Sequence, residues 1–206
     1  MKKKTEVKRQ AIVDVAAEVF REKGFERTSM AEICRRVGFS SATLYNYFTS
    51  KEALFVEIMS KANEAEFNAV HQALVGGDDI AAALRHFGER LLTFVYAPDV
   101  VAVRRLVTSS FGDSEFGRTC YELGPKRGMN ELSVFFLAAM KQGKLRRCDP
   151  LVAALHLRGL LESELLDGFI FQIADEISAE RIKGVVDRAV AVFMAAYGPT
   201  AKVDVT

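Results

Sequence analysis

Apolar residues recur at helical spacing along almost the whole chain, and no convincing period-2 alternation interrupts them. That pattern constrains the fold more than any other feature. A helix buries a stripe at i, i+3, i+4 and i+7, whereas a half-buried strand alternates its faces residue by residue. Ile12, Ala16, Val19 and Phe20 form the first stripe, closed by Gly24. Thr49 and Glu52 read as a capping box that opens a long helix through Leu54, Phe55, Ile58, Met59 and Ala62, continuing to about Leu74. After the break Gly76-Gly77-Asp78-Asp79, the stripe restarts at Ile80, Leu84, Phe87 and Leu91 and ends at Pro98. Further helices are expected over about 100–110, 116–123 and 126–142, separated by Gly112 and Gly124-Pro125. Asp149-Pro150 reads as an N-cap with proline at the first helical position, opening a helix to about Gln172. Ser178 caps a last helix, Gly198-Pro199 stops it, and 199–206 reads as a frayed tail. The expectation is an all-α fold of about nine helices, with no repeat and no low-complexity segment.

The 206 residues carry a formal net charge of +1, which taken alone argues against nucleic acid as a partner. The average hides an asymmetry. Residues 1–51 hold eleven Lys and Arg against six Asp and Glu, a net of +5, and the remainder has a net of −4. A basic front on an acidic back predicts two functions in one chain. Three scattered cysteines, Cys34, Cys120 and Cys148, read as reduced thiols of a cytoplasmic protein rather than a disulfide framework or zinc site. No uncharged run reaches the roughly 18 apolar residues that span a bilayer. The basic start, Met1 to Lys4, leads into Glu6, Lys8 and Arg9 rather than a signal-peptide core, so no membrane partner is expected.

Gly24 to Lys51 carries the chemistry. Ser29 and Glu32 match a capping box for a short helix to about Val37, and Ser40 or Ser41 caps a second, to Phe48. Gly38-Phe39-Ser40 lies between them, the short glycine-containing turn that a helix-turn-helix requires. Ile33, Val37 and Leu44 are spaced to bury against the first stripe. Ser41, Ala42, Thr43, Tyr45, Asn46 and Tyr47 are then left partly or wholly outside, a face rich in hydrogen-bonding groups and poor in charge. Such a face approaches base edges and phosphates closely.

This segment resembles the DNA-binding segment of the TetR/AcrR family of transcriptional regulators. Thr43-Leu44-Tyr45-Asn46-Tyr47-Phe48-Thr49-Ser50-Lys51 is close to the family's T-x-Y-x-[HY]-F-x-[SN]-K. Gly117-Arg118, Tyr121-Glu122, Gly124-Pro125 and Gly143-Lys144-Leu145-Arg146 are similar to the AefR-like branch of C-terminal domains. The resemblance implies a three-helix DNA-binding domain, residues 1–55, and a ligand-binding and dimerisation domain, residues 56–206. It places Thr28, Ser29 and Met30 against the DNA backbone and Ser41, Ala42 and Thr43 at the start of a recognition helix in the major groove. Tyr45, Tyr47 and Lys51 correspond to phosphate-contacting positions, with Asn46 on the base or backbone side. The arm Lys2, Lys3, Lys4, Lys8 and Arg9 resembles extensions that reach a minor groove; a solvated tail is the other reading.

The back half carries no catalytic pattern. His71, His86 and His156 lack the neighbours of helical metal sites, and no G-x-S-x-G elbow or P-loop is present. Glu162, Glu164 and Asp167 fit either a cationic ligand or a solvated face. The expectation is no enzyme, no catalytic residue, no metal and no cofactor. The resemblance implies instead an internal pocket for an apolar or amphipathic small molecule, with Phe87, Phe94, Arg104, Phe111, Tyr121 and His156 as candidate lining. It also implies a homodimer through the last two long helices, with Leu155, Leu161, Leu165, Phe169, Val190, Phe193 and Met194 as candidate seam. The resulting expectation is a repressor that binds a pseudo-palindromic double-stranded operator and is released by its effector. A helical small-molecule-binding or enzymatic protein with a vestigial helix-turn-helix is the alternative, and repressor against activator stays open.

Overall fold

The first stripe folds as expected, but its helix begins earlier. In the computed structural model, which describes residues 2–25, 27–62, 64–72, 74, 79–109, 114–173 and 177–199, α1 spans Lys2–Lys23. The backbone of the basic segment is therefore helical from Lys2. Ile12, Val13, Ala16, Val19 and Phe20 are buried along one face, and Gly24 ends the helix at φ +75°, its N–H donating to the Phe20 carbonyl at 2.8 Å. Helices α2 (Met30–Val37), α3 (Ser41–Tyr47), α4 (Lys51–Ala62), α5 (Glu64–Gln72), α6 (Ile80–Val95), α7 (Pro98–Ser109) and α8 (Ser114–Tyr121) follow. A π-helical turn, Glu122–Lys126, leads into α9 (Arg127–Lys141), then α10 (Pro150–Glu162), α11 (Leu166–Ile170) and α12 (Ala179–Tyr197).

Twelve α-helices rather than about nine are present among the described residues, with no strand. The helix expected from Thr49 to Leu74 comes as α4 and α5, and the one expected from Asp149 to Gln172 comes as α10 and α11. Between α10 and α11 the chain turns through 163–165, where the Ser163 hydroxyl donates to the Leu160 carbonyl at 2.8 Å and Leu165 is buried. A hydroxyl that bonds its own helix's carbonyl competes with the ladder there. The cap of α4 also sits one residue later than the sequence pattern predicts. Ser50, not Thr49, accepts the N–H of Ala53 at 3.1 Å. The caps at Ser178 and Asp149 form as read, with Asp149 taking the N–H groups of Leu151 and Val152. The tail from 200 onward lies outside the described residues.

The chain divides into two compact units, Met1–Glu64 with Ala102–Leu123, and Ala65–Val101 with Gly124–Thr206. In the first, the core joins the α1 stripe to Met30, Ile33, Leu44, Phe48 and Leu54. Phe20, Phe25 and Phe55 meet with ring centroids 4.9–5.7 Å apart, so aromatic edges close the gap between the α1–α2 turn and α4. Arg9 and Glu57 form a two-pronged ion pair between α1 and α4, and Lys61 adds a bond to Gln10 at 2.9 Å. That clasp corrects the reading of the arm at Arg9, whose guanidinium is engaged by a carboxylate of its own unit.

In the second unit α6 and α10 pack with α12, and α9 packs on α10. Phe136, Phe193 and Tyr197 stack through its centre at 5.2 and 4.7 Å. Gly88 lets the helices approach: a Cβ there would stand 2.9 Å from atoms of both Leu161 and Val186. The crossing corrects the expected seam. Leu161, Leu165, Phe169, Val190 and Phe193 face their own core and Met194 is half-buried against it, because both α6 and α9 cover the inner side of α10. Of that set only Leu155 is exposed. It shares the outer face of α10 with Leu151 and Val152, and Val192 is exposed on α12.

Candidate functional site

The turn between α2 and α3 is fixed by contacts on both sides. Ser29 is extended and its hydroxyl accepts the Glu32 N–H at 3.3 Å, so α2 begins on a capped end. Gly38 ends it at φ +74°, a left-handed conformation that glycine adopts without Cβ strain, and its N–H donates to the Cys34 carbonyl at 3.1 Å. The Cys34 thiol donates to the Phe39 carbonyl at 2.9 Å, and the Ser40 hydroxyl accepts the Thr43 N–H at 3.2 Å. Leu44 and Phe48 pin α3 to the core from below. These contacts set the orientation of a helix only seven residues long.

Ser41, Ala42, Tyr45 and Asn46 are exposed, Tyr45 to 51%, while Thr43 and Tyr47 are half-buried. The Thr43 hydroxyl also lies 2.8 Å from the Ser40 hydroxyl, so part of its hydrogen-bonding capacity is spent within the turn. Two positions of the predicted backbone-contacting trio are internal. Thr28 is 3% exposed and its hydroxyl donates to the Gly24 carbonyl at 2.8 Å, while Met30 belongs to the core; only Ser29 is outside. A short loop between two helices must satisfy its own backbone groups, and Thr28 does so here.

Lys51 is half-buried at the start of α4. Its ammonium donates to the Phe25 carbonyl at 3.1 Å and lies 4.2 Å from the centroid of the Phe25 ring. An ammonium has three donors, so this anchor leaves hydrogens for a phosphate. The electrostatic centre of the region is a residue the sequence reading used only as a cap. Glu32 accepts from Lys23 at 2.9 Å, from Arg35 at 2.9 and 3.1 Å, and from Arg36 at 3.3 Å. Hydrogen bonds from Arg35 and then Lys23 hold its carboxyl down at about 2. Arg36 also reaches Glu22 at 2.6 Å, so α2 is tied to the end of α1 by charge.

The expected ligand set is divided between the units. Arg104 and Tyr121 fall in the first, Phe87, Phe94 and His156 in the second, and Phe111 lies outside the described residues. His156 is exposed and bonded to the Tyr197 hydroxyl. Phe87 is fully buried and Phe94 meets Phe67 edge-on at 6.5 Å. Glu162 and Glu164 are paired with Arg158 and Arg188 at 3.1 and 2.6 Å. Among the described residues no three of His, Cys, Asp and Glu gather as a metal site, and no helix is long and apolar enough to cross a membrane. Burial pushes the Cys120 thiol up to about 11, which keeps it protonated at neutral pH.

Two family descriptions match the chain: "Bacterial regulatory proteins, tetR family" over residues 12–58, and "AefR-like transcriptional repressor, C-terminal domain" over residues 82–199. The chain belongs to the TetR family. Its relatives include the A-factor receptor protein of Streptomyces griseus, 39% identical over 37% of this chain and 30% of that protein. The regulator AcrR of Shigella flexneri is 34% identical over 39% of this chain and 38% of its own length. The chain thus spans about a third of the length of these curated relatives. Solved structures match along nearly the full length. A TetR-family regulator from Mesorhizobium loti superposes with a TM-score of 0.76 at 27% identity, covering 94% of this chain and 98% of that one. The flavonoid-responsive regulator FrrA gives 0.67 at 31% identity, covering 95% and 100%.

Proposed function

We propose that the protein is a DNA-binding transcriptional repressor of the cytoplasm, acting as a homodimer on a pseudo-palindromic operator and released by a small apolar or amphipathic effector. The observation that carries this reading is the outer face of α3. Ser41, Ala42, Tyr45 and Asn46 stand exposed on a helix whose two ends are fixed, so a polar, nearly uncharged surface is presented rigidly. Family membership supports the same reading, as does the likeness to FrrA, whose name describes a flavonoid-responsive regulator. In this reading Ser41, Ala42 and Thr43 meet base edges, Tyr45, Tyr47, Lys51 and Ser29 meet the backbone, and Asn46 serves either. One recognition helix from each subunit would enter major grooves about one helical turn apart, roughly 34–36 Å.

An effector shifts DNA affinity only by its differential affinity for the two states, for which a coupling of about 1–3 kcal/mol is ordinary. Selection of bound DNA from a random pool, followed by titration of the selected sequence at several salt concentrations, tests the reading. The expected outcome is a pseudo-palindrome bound with a steep salt dependence. Absence of any preferred sequence at low salt would sink it.

A further inference from the structure

The pitch of α3 fixes which of its side chains reach furthest from the core. An α-helix turns about 100° per residue, so each of its seven residues stands at a set angle from Leu44, which is fully buried. Ala42 and Asn46 stand about 160° from Leu44, one on each side of the point directly opposite it. Thr43 and Tyr45 lie about 100° round on the two flanks, and Ser41 and Tyr47 only about 60° round. The burial pattern agrees at the crest: Ala42 and Asn46 are exposed, whereas Thr43 and Tyr47 are half-buried. The part of α3 that would enter a groove most deeply is therefore one methyl group and one carboxamide.

Hydrogen-bond accounting separates that crest from its surroundings. The Thr43 hydroxyl lies 2.8 Å from the Ser40 hydroxyl, and the Ser41 hydroxyl lies 3.7 Å from the Cys34 sulfur. The Asn46 side chain makes no hydrogen bond among the described residues, so its carbonyl oxygen and its amino group are both unspent. No side chain of α3 carries a charge, so none draws the crest away from a groove floor toward a phosphate. A carboxamide offers an acceptor and a donor side by side. Adenine answers with the N6 donor and the N7 acceptor in the major groove, whereas guanine presents two acceptors there. Thymine presents a methyl group, which suits an apolar side chain such as that of alanine.

We infer that in each half of the operator Asn46 reads an adenine and Ala42 the methyl group of a thymine. This rests on the DNA-binding reading above and assigns Asn46 to a base rather than to the backbone. The two residues are four apart on one face, so they are separated by about 6 Å along the helix. Bases along one strand are about 3.4 Å apart, so the two contacted pairs lie within about two base steps of each other. Each half-site then holds a pair of neighbouring A·T positions whose identity α3 reads directly. Thr43 and Tyr45, on the flanks, face the groove walls.

Selection from a random DNA pool with the full chain and with Asn46→Ala, followed by titration of operators carrying base analogues, tests the assignment. The wild type is expected to select a half-site with a fixed A·T pair, and Asn46→Ala to lose the preference at that pair while keeping the rest of the site. Replacing that adenine with 7-deazaadenine, which lacks the N7 acceptor, is expected to weaken wild-type binding about tenfold and to leave Asn46→Ala unaffected. Deoxyuridine in place of the neighbouring thymine removes only the methyl group. It is expected to weaken wild-type binding by a few-fold and to have no effect on Ala42→Gly. Both analogues act on the wild-type protein, so neither result depends on a variant that folds. If Asn46→Ala weakens every sequence by the same factor, or if 7-deazaadenine is tolerated, the adenine assignment is overturned; if deoxyuridine is tolerated, the thymine assignment is overturned. Such results with a defined operator refute the base assignment alone. A pool that yields no preferred sequence refutes the regulator reading and the base assignment together.

Discussion

At the scale of the residue, Lys51 shows how one side chain serves structure and binding together. The motif Thr43 to Lys51 assigns it to a phosphate, and the structure ties its ammonium to the Phe25 carbonyl and ring. Replacement by methionine keeps the stem and removes the charge. Two effects are expected. Stability falls by about 1 kcal/mol, for one charge-assisted hydrogen bond and one half-exposed cation–π contact. The slope of log affinity against log salt becomes shallower by about 1 if the same ammonium neutralises a phosphate, since each phosphate contact contributes about 0.9. Thermal melting and salt-dependent operator titration measure the two separately. A lowered midpoint with an unchanged slope would leave Lys51 as a fastener for the α1–α2 turn and remove it from the DNA surface.

At the scale of the element, the legible features are those decided within about four residues. Gly38, Ser40, Asp149 and Ser178 terminate or cap helices as their local patterns predict, because the bonds that matter are made to neighbours in sequence. The shift of the α4 cap from Thr49 to Ser50 shows the limit, since two adjacent hydroxyls compete and the packing of α4 chooses. The clasp of Arg9 on Glu57 and the burial of Thr28 depend on a partner distant in sequence and on the path of a loop, which periodicity does not encode.

Glu32 offers an element-scale test of the α1–α2 junction. Its carboxyl is held at about 2, against 4.5 for an unperturbed glutamate, chiefly by hydrogen bonds from Arg35 and Lys23. The folded value lies below the unfolded one, so the stabilisation is complete above about pH 4.5 and fades as the pH falls toward 2. Glu32→Gln removes the charge at every pH. Wild type should therefore melt modestly above the variant at pH 7, the screened surface pairs limiting the gap, and the two should draw together between pH 4.5 and 2. A gap that is constant across that range would show that the carboxylate's charge is not what joins the two helices.

At the scale of the whole molecule, the net charge of +1 conceals a division that the fold explains. Affinity for DNA in the proposed reading comes from a few placed groups on α3 and α4, and its specificity requires two copies of α3 at once. In that reading the surface for the pairing would come from apolar residues exposed on the last long helices, Leu151, Val152 and Leu155 on α10 and Val192 on α12. Large apolar side chains exposed together on a helix face suit an interaction surface, and a two-fold dimer uses the same surface on both subunits. The two leucines of α10 named for the seam separate the possibilities. Leu155 is 49% exposed and Leu161 is fully buried in its own core. Leu155→Asp is expected to leave the protomer folded, because its aspartate remains in water, and to shift the protein from dimer to monomer by sedimentation equilibrium. Operator binding should weaken sharply, as one recognition helix then acts without its partner. Leu161→Asp should instead unfold the unit, since it buries an unpaired charge. A Leu155→Asp protein that stays dimeric at micromolar concentration would exclude the outer face of α10 from the seam and direct attention to the exposed Leu166, Ile170, Phe171 and Ile173.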